Sequence, residues 1–109
     1  MAYVVCATWK AKPGEDEAVI RLLGEVSRAS AGELGCLLFW VHRSTEDPST
    51  FFLYEQYESE AAFQVHAASD HVRRFVLEDA VQRLETRRRE VFEVLAPPDP
   101  GTQRRQTNA

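Results

Sequence analysis

The sequence lacks most of the features that would fix its class at once. Its 109 residues include two cysteines, Cys6 and Cys36, too few for a disulfide framework and without the paired spacing of a metal site. Both read as buried free thiols, which suits a reducing cytoplasm. The five glycines, at 14, 24, 32, 35 and 101, nowhere adopt the spacing of a dinucleotide or phosphate loop, so no tightly held nucleotide or flavin is expected. There is no nucleophile elbow and no Ser/His/Asp arrangement. Apolar runs are short. Cys36 to Val41 is six residues, against about 20 for a membrane helix, and no secretory pattern opens the chain. Positive charge is in deficit as well, with 13 Lys and Arg against 17 Asp and Glu for a net charge of -4. That balance argues against nucleic acid as a partner, although Arg87-Arg88-Arg89 forms a local basic run whose members divide between the two faces of a strand.

What is present is an ordinary globular composition, 44% hydrophobic, 28% charged and 10% aromatic, in a length that suits one domain with one core. Tyr3 to Lys10 is β-prone on both faces and reads as a central strand. Lys12-Pro13-Gly14 breaks it, and Glu15, Asp16 and Glu17 load the first turn of a helix with charge that its dipole favours. Val19, Leu22, Leu23, Val26 and Ala29 or Ser30 form one apolar stripe, ended by Gly32 and Gly35 in backbone conformations costly to other residues. Cys36 to Arg43 and the strand starting at Thr50 form an antiparallel hairpin across the polar turn Ser44–Ser49. Gln82 to Leu95 reads mostly as a strand whose charged first half is solvated or paired with a partner. Regular structure is expected over 1–96, and the polar stretch 97–109, opening Pro97-Pro98-Asp99-Pro100-Gly101, is expected to be disordered.

Thr50 to Phe75 carries the most chemistry. Alternation along the strand puts Phe51, Leu53, Glu55 and Tyr57 on one face, so a carboxylate shares a covered surface with aromatic rings. Ser59 is a good N-cap for the helix that follows, and Phe63 and His66, three apart, lie on the side turned back toward Glu55. The helix breaks near Ala68-Ser69-Asp70, where Ser69 or Asp70 caps a second piece bearing Val72, Phe75 and Val76. The order βαββαβ with an interrupted second helix suits a ferredoxin-like α+β sandwich, an antiparallel four-stranded sheet with helices on one face. The other face would leave large apolar residues in water, and a second copy of the chain would cover it.

The run Glu55-Gln56-Tyr57-Glu58-Ser59, followed by Ala62, Phe63, His66 and His71, resembles the signature of antibiotic biosynthesis monooxygenase domains. Lys12-Pro13-Gly14, Gly35-Cys36 and Phe51-Phe52-Leu53 resemble the family in order and spacing too, so the resemblance covers residues 1 to about 96. It implies a homodimeric α/β barrel with a pocket between sheet and helices in each subunit. It also implies oxidation of a phenolic, hydroquinone or polycyclic aromatic substrate by molecular oxygen without metal, haem or flavin. On that analogy His66 takes the substrate proton, Glu55 orients it or receives the proton onward, and Tyr57 and Phe63 hold the ring.

The residues themselves leave alternatives open. Glu55 is either a working acid or a charge satisfied by an arginine or by backbone amides. His66 titrates where base catalysis needs it. His71, across the helix break, is counted with Trp9 as a substrate-binding candidate, although it anchors that break more readily than it acts in catalysis. Trp9, Phe39, Trp40 and Tyr54 extend the pocket wall or belong to the dimer interface. Neither E-x10-H nor H-x4-H makes a metal site without a third ligand. The same run also resembles the isomerase that processes phosphorylated autoinducer-2. Against that reading, a phosphate demands convergent cations and no basic residue lies between Arg43 and Arg73. A non-catalytic ligand-binding dimer is the remaining alternative.

Overall fold

The computed structural model describes residues 2–96, so the expected disordered stretch at 97–109 lies outside the described residues. The elements run β1 (Tyr3–Ala11), α1 (Asp16–Ala31), β2 (Cys36–Arg43), β3 (Thr50–Tyr57) and α2 (Glu60–Ala67). A π-helical segment (Val72–Leu77), a 3-10 turn (Ala80–Arg83) and β4 (Leu84–Glu93) follow. The four strands form one antiparallel sheet in the order β2-β3-β1-β4. This is the expected ferredoxin-like α+β arrangement, with β1 and β3 central and the helices packed on one face.

The local reasons are those in the sequence, with two differences. In α1 the buried stripe is Val19, Leu22, Leu23, Val26 and Ser30, with Asp16 and Glu17 in the first turn. Ser59 caps α2 in extended conformation, its side chain accepting from the Ala62 amide at 3.1 Å. At the helix break the Ser69 hydroxyl donates to the His66 carbonyl at 2.6 Å and accepts from the Val72 amide at 3.4 Å. The chain then re-enters a helix as a wide π turn, which buries Val72 and Val76 against the sheet. One difference lies at Gly32, which has ordinary right-handed dihedrals, so only Gly35, at φ 89°, needs the left-handed region before β2. The other lies at Cys6 and Cys36, which are free but only partly buried; burial still pushes both thiols up, keeping them protonated.

Partners across an antiparallel ladder share a side of the sheet, so the registers lay out its covered face row by row. Phe51, Trp9 and Arg87 form one row, Leu53, Ala7 and Arg89 the next, and Phe39, Glu55, Val5 and Val91 the third. The opposite face carries Trp40, Phe52 and Phe92, which are 59%, 39% and 47% exposed. Of the two tryptophans, Trp9 therefore belongs to the core and Trp40 to the open face. Tyr54, paired with Trp40, lies on the open face too. No helix among the described residues is long and apolar enough to cross a membrane.

Gly35 also fixes how closely the loop before β2 approaches α2, since a Cβ there would lie 2.8 Å from the Ala62 Cβ. Gly14 shares the left-handed backbone, at φ 82°, but has open space around it. Gly35→Ala is expected to cost about 2–4 kcal/mol, combining backbone strain with overpacking, and Gly14→Ala about 1 kcal/mol from strain alone. Urea denaturation of both variants measures the difference; equal losses would mean that the Ala62 contact relaxes freely.

Candidate active site

The covered face of the sheet and the helical layer enclose a cavity of about 130 Å³. Trp9, Leu53 and Phe39 form much of its apolar wall, and Phe63 and His66 reach it from α2. The parity of β3 brings Glu55 to the same wall. Glu55 is 5% exposed and His66 6%. The isolated burial of two ionisable groups in one apolar cavity is what the surrounding hydrogen bonds have to satisfy.

Glu55 accepts a hydrogen bond from the Tyr57 hydroxyl at 2.6 Å. Burial pushes the Glu55 carboxyl up to about 7, and the Tyr57 hydroxyl and the Arg89 and Arg87 guanidiniums hold it from rising further. Burial and the Glu55 charge drive the Tyr57 phenol far above its ordinary range, so it is a permanent donor. His66 is held from its far side. Its Nδ1 lies 2.7 Å from Oε1 of Glu33, a carboxylate oxygen that can only accept, so Nδ1 carries the proton and the Nε2 lone pair is left open. That Nε2 is 3.8 Å from Glu55 Oε1, too long for a hydrogen bond. Burial depresses the His66 pKa against the pull of Glu33, which keeps the ring neutral at ordinary pH.

Of the expected site residues, the fold brings Glu55, His66, Phe63 and Trp9 to the cavity wall. Tyr57 is fully buried beside them, and its phenol serves Glu55 rather than the cavity. His71 is away from the wall. Its Nε2 donates to the same Glu33 Oε1 at 2.7 Å and lies 3.2 Å from the Ser69 hydroxyl, tying the helix break to the loop after α1. The ligand atoms of Glu33, His66 and His71 all lie within 4.8 Å of one another, so the third group missing from the H-x4-H spacing exists in space. In this arrangement both imidazole nitrogens aim at one oxygen at hydrogen-bonding distance, and N–H protons satisfy the cluster.

Glu33 escaped the sequence reading because it sits in a loop 33 positions from His66, with no periodicity to connect them. Arg87 and Arg89 were legible in part. Alternation divides the basic run, and once β4 pairs with β1, Arg87 and Arg89 share the covered face with Trp9 and Ala7 while Arg88 takes the other. Both line the cavity, and the Arg89 guanidinium carbon lies 5.3 Å from the centre of the Phe63 ring. The absence of cations between Arg43 and Arg73 is therefore no obstacle to an anionic ligand, since β4 supplies them from further along the chain.

Because Glu55 rises from an ordinary 4.5 to about 7, the folded state holds its proton more tightly than the unfolded chain between those values. Stability from this group is complete below about pH 4.5 and falls as pH rises through about 7, on the order of 3 kcal/mol in all. Glu55→Gln keeps an acceptor for Tyr57 and cannot ionise. Its urea midpoint should lose that part of the pH dependence and exceed the parent's at pH 8. Parallel curves for the two proteins between pH 4 and 8 would show that Glu55 ionises normally.

Comparison with known proteins follows the same lines. The fold is similar to that of PA3566 from Pseudomonas aeruginosa, at 29% identity and a TM-score of 0.82 over 87% of this chain and 95% of that one. Rv0793 from Mycobacterium tuberculosis is similar at 21% identity and a TM-score of 0.83, over 91% of this chain and all of that one. A crystal structure of an antibiotic biosynthesis monooxygenase is similar at 23% identity and 0.79, over 88% of this chain and all of that one. The last two likenesses bear on fold alone. No curated protein matches the chain significantly. The family model for antibiotic biosynthesis monooxygenase matches residues 2–78, from β1 through the π-helical segment, and with that match over most of its length the chain belongs to the antibiotic biosynthesis monooxygenase family.

Proposed function

We propose that the protein is a cofactor-independent monooxygenase that oxidises a phenolic or hydroquinone ring with molecular oxygen, and that it works as a homodimer. The observation that supports this reading is the Glu33–His66 pair, which holds a neutral imidazole in the wall of an apolar cavity with its free nitrogen 3.8 Å from Glu55. A buried base in a dry pocket suits the removal of a phenolic proton. Once deprotonated, an electron-rich ring can pass an electron to oxygen, and the resulting radicals combine. One oxygen atom enters the ring and the other leaves as water with two hydrogens from the substrate, so atoms and electrons balance without an external reductant. His66 takes the proton and passes it toward Glu55, which an apparent pKa near 7 equips to receive it. Trp9 and Phe63 hold the ring, Tyr57 holds Glu55, and His71 holds Glu33.

The enclosed volume of about 130 Å³ is close to the ~150 Å³ that holds a benzene molecule, so one ring fits inside and a polycyclic substrate would extend through the mouth. The open sheet face, with Trp40, Phe52 and Phe92 exposed, supports the homodimer. A species of one chain's mass in sedimentation at micromolar concentration would rule the dimer out. A second reading, isomerisation of a small phosphorylated autoinducer-2-like compound, gains from Arg87 and Arg89. The apolar wall speaks against it, because it offers a polyol few hydrogen-bonding partners. Oxygen uptake with a hydroquinone, set against conversion of a phosphorylated ketose, separates the two.

His66→Ala is expected to lower turnover about 10²- to 10⁴-fold with KM little changed and the dimer intact, the loss typical of a general base. Glu33→Gln should lower turnover as well, because an amide can reverse the tautomer of His66. Parent turnover should rise with pH through about 7, as Glu55 ionises, and Glu55→Gln should flatten that rise. Turnover should persist after dialysis against a chelator. Near-normal turnover in His66→Ala removes the histidine from the mechanism, and loss of activity to the chelator would assign a metal to the Glu33, His66 and His71 cluster.

A further inference from the structure

The cavity has a charged end that proton removal from a ring does not require. Arg87 and Arg89 stand two residues apart on β4, both on the covered side of the sheet by their pairing with Trp9 and Ala7. That spacing places their Cα atoms about 7 Å apart. Both side chains line the cavity at its exposed rim. Among the described residues neither makes an ion pair or a side-chain hydrogen bond; Arg21, Arg74 and Arg88 make none either, but of these five only Arg87 and Arg89 line the cavity. Glu55 is the one acid among the lining residues. It is engaged by Tyr57 and, held up to about 7, is only partly charged at neutral pH. Burial and the neighbouring Arg89 charge depress the Arg87 pKa, and the opposing pull of Glu55 does not offset them, the direction expected of a partly covered cation beside another cation. Two like charges that meet at the rim of an apolar cavity form a site that an anion can join through charge-assisted hydrogen bonds.

We propose that Arg87 and Arg89 form an oxyanion subsite, so that the ring taken into this cavity carries an acidic substituent, a carboxylate or a phosphate. The ring lies on the apolar wall with its hydroxyl at His66 Nε2, and the acidic group points out to the rim, where the guanidiniums receive it. Arginine suits this position because its planar donor array matches two oxygens of such a group. The subsite fixes which way round the ring enters. It thereby selects which hydroxyl meets the imidazole, and it rejects neutral rings of the same shape. The inference rests on the proposed monooxygenase reading for the role of the ring, but it concerns binding and can fail or stand without turnover.

The test is therefore binding under nitrogen, followed by calorimetry or by fluorescence of Trp9 in a Trp40→Phe background. Three probes are compared: 2,5-dihydroxybenzoate, its neutral twin 2,5-dihydroxybenzamide, and phenyl phosphate. At least one anion should bind about 10-fold or more tightly than the amide, as expected for charge-assisted hydrogen bonds, and the tighter of the two identifies the substituent. The preference should vanish in Arg87→Gln/Arg89→Gln, weaken with added salt, and persist in Arg88→Gln, whose side chain lies on the other face. Circular dichroism and sedimentation check that the variants keep their fold and assembly. The proposal is overturned if the amide binds as tightly as both anions, if neither anion binds at millimolar concentration, or if the preference survives in the double variant. Anion preference without oxygen uptake would leave the subsite standing and count against the monooxygenase reading alone.

Discussion

A carboxylate on the covered face of the central strand β3 sets the terms for everything around it. Glu55 lies between a sheet and a helical layer, where an unpaired charge would be costly, and the fold answers with the Tyr57 hydroxyl at 2.6 Å and two guanidiniums at the cavity rim. These partners do not fully offset burial, which leaves the acid close to half-protonated at neutral pH. An acid so poised is unfavourable for stability and useful for moving protons. The same desolvation that raises the Glu55 pKa lowers that of His66, favouring the neutral form of both.

The position of His66 depends on a second carboxylate that lies outside the cavity. Glu33, in the loop after α1, accepts from both His66 and His71. One loop residue thus fixes a tautomer in α2 and closes the break between α2 and the π-helical segment. Gly35 stands two residues further on, and its close approach to Ala62 brings this loop against α2. The site therefore rests on the way α1 ends as much as on β3 and α2. A disturbance at Gly35 would be felt at His66 through Glu33, without touching the cavity wall.

The charge distribution across the cavity follows from sheet register. Glu55 and His66 stand at the apolar interior, Arg87 and Arg89 on the edge strand, and Trp9, Leu53 and Phe63 contribute to the wall around them. A buried acid and imidazole in the interior and cations on the exposed strand make the cavity polar in a way that a neutral slot of the same volume would not be.

The element order, the strand limits of β2 and β3, the buried stripe of α1 and the Ser59 cap were all determined by the sequence alone, because each is a local pattern of periodicity or capping. So was the approach of Glu55 to Phe63 and His66, since strand parity and helical spacing both act over a few residues. Parity could also divide the arginines of the basic run, but it could not say which half faced the cavity. That required the pairing of β4 with β1, a contact across some eighty residues of chain. The role of Glu33, the turning of the Tyr57 phenol from the cavity to Glu55, and the placement of Trp9 inside and Trp40 outside were likewise decided only by tertiary structure. Each depends on which segments pack together, and long-range packing leaves no periodic trace in the amino-acid order.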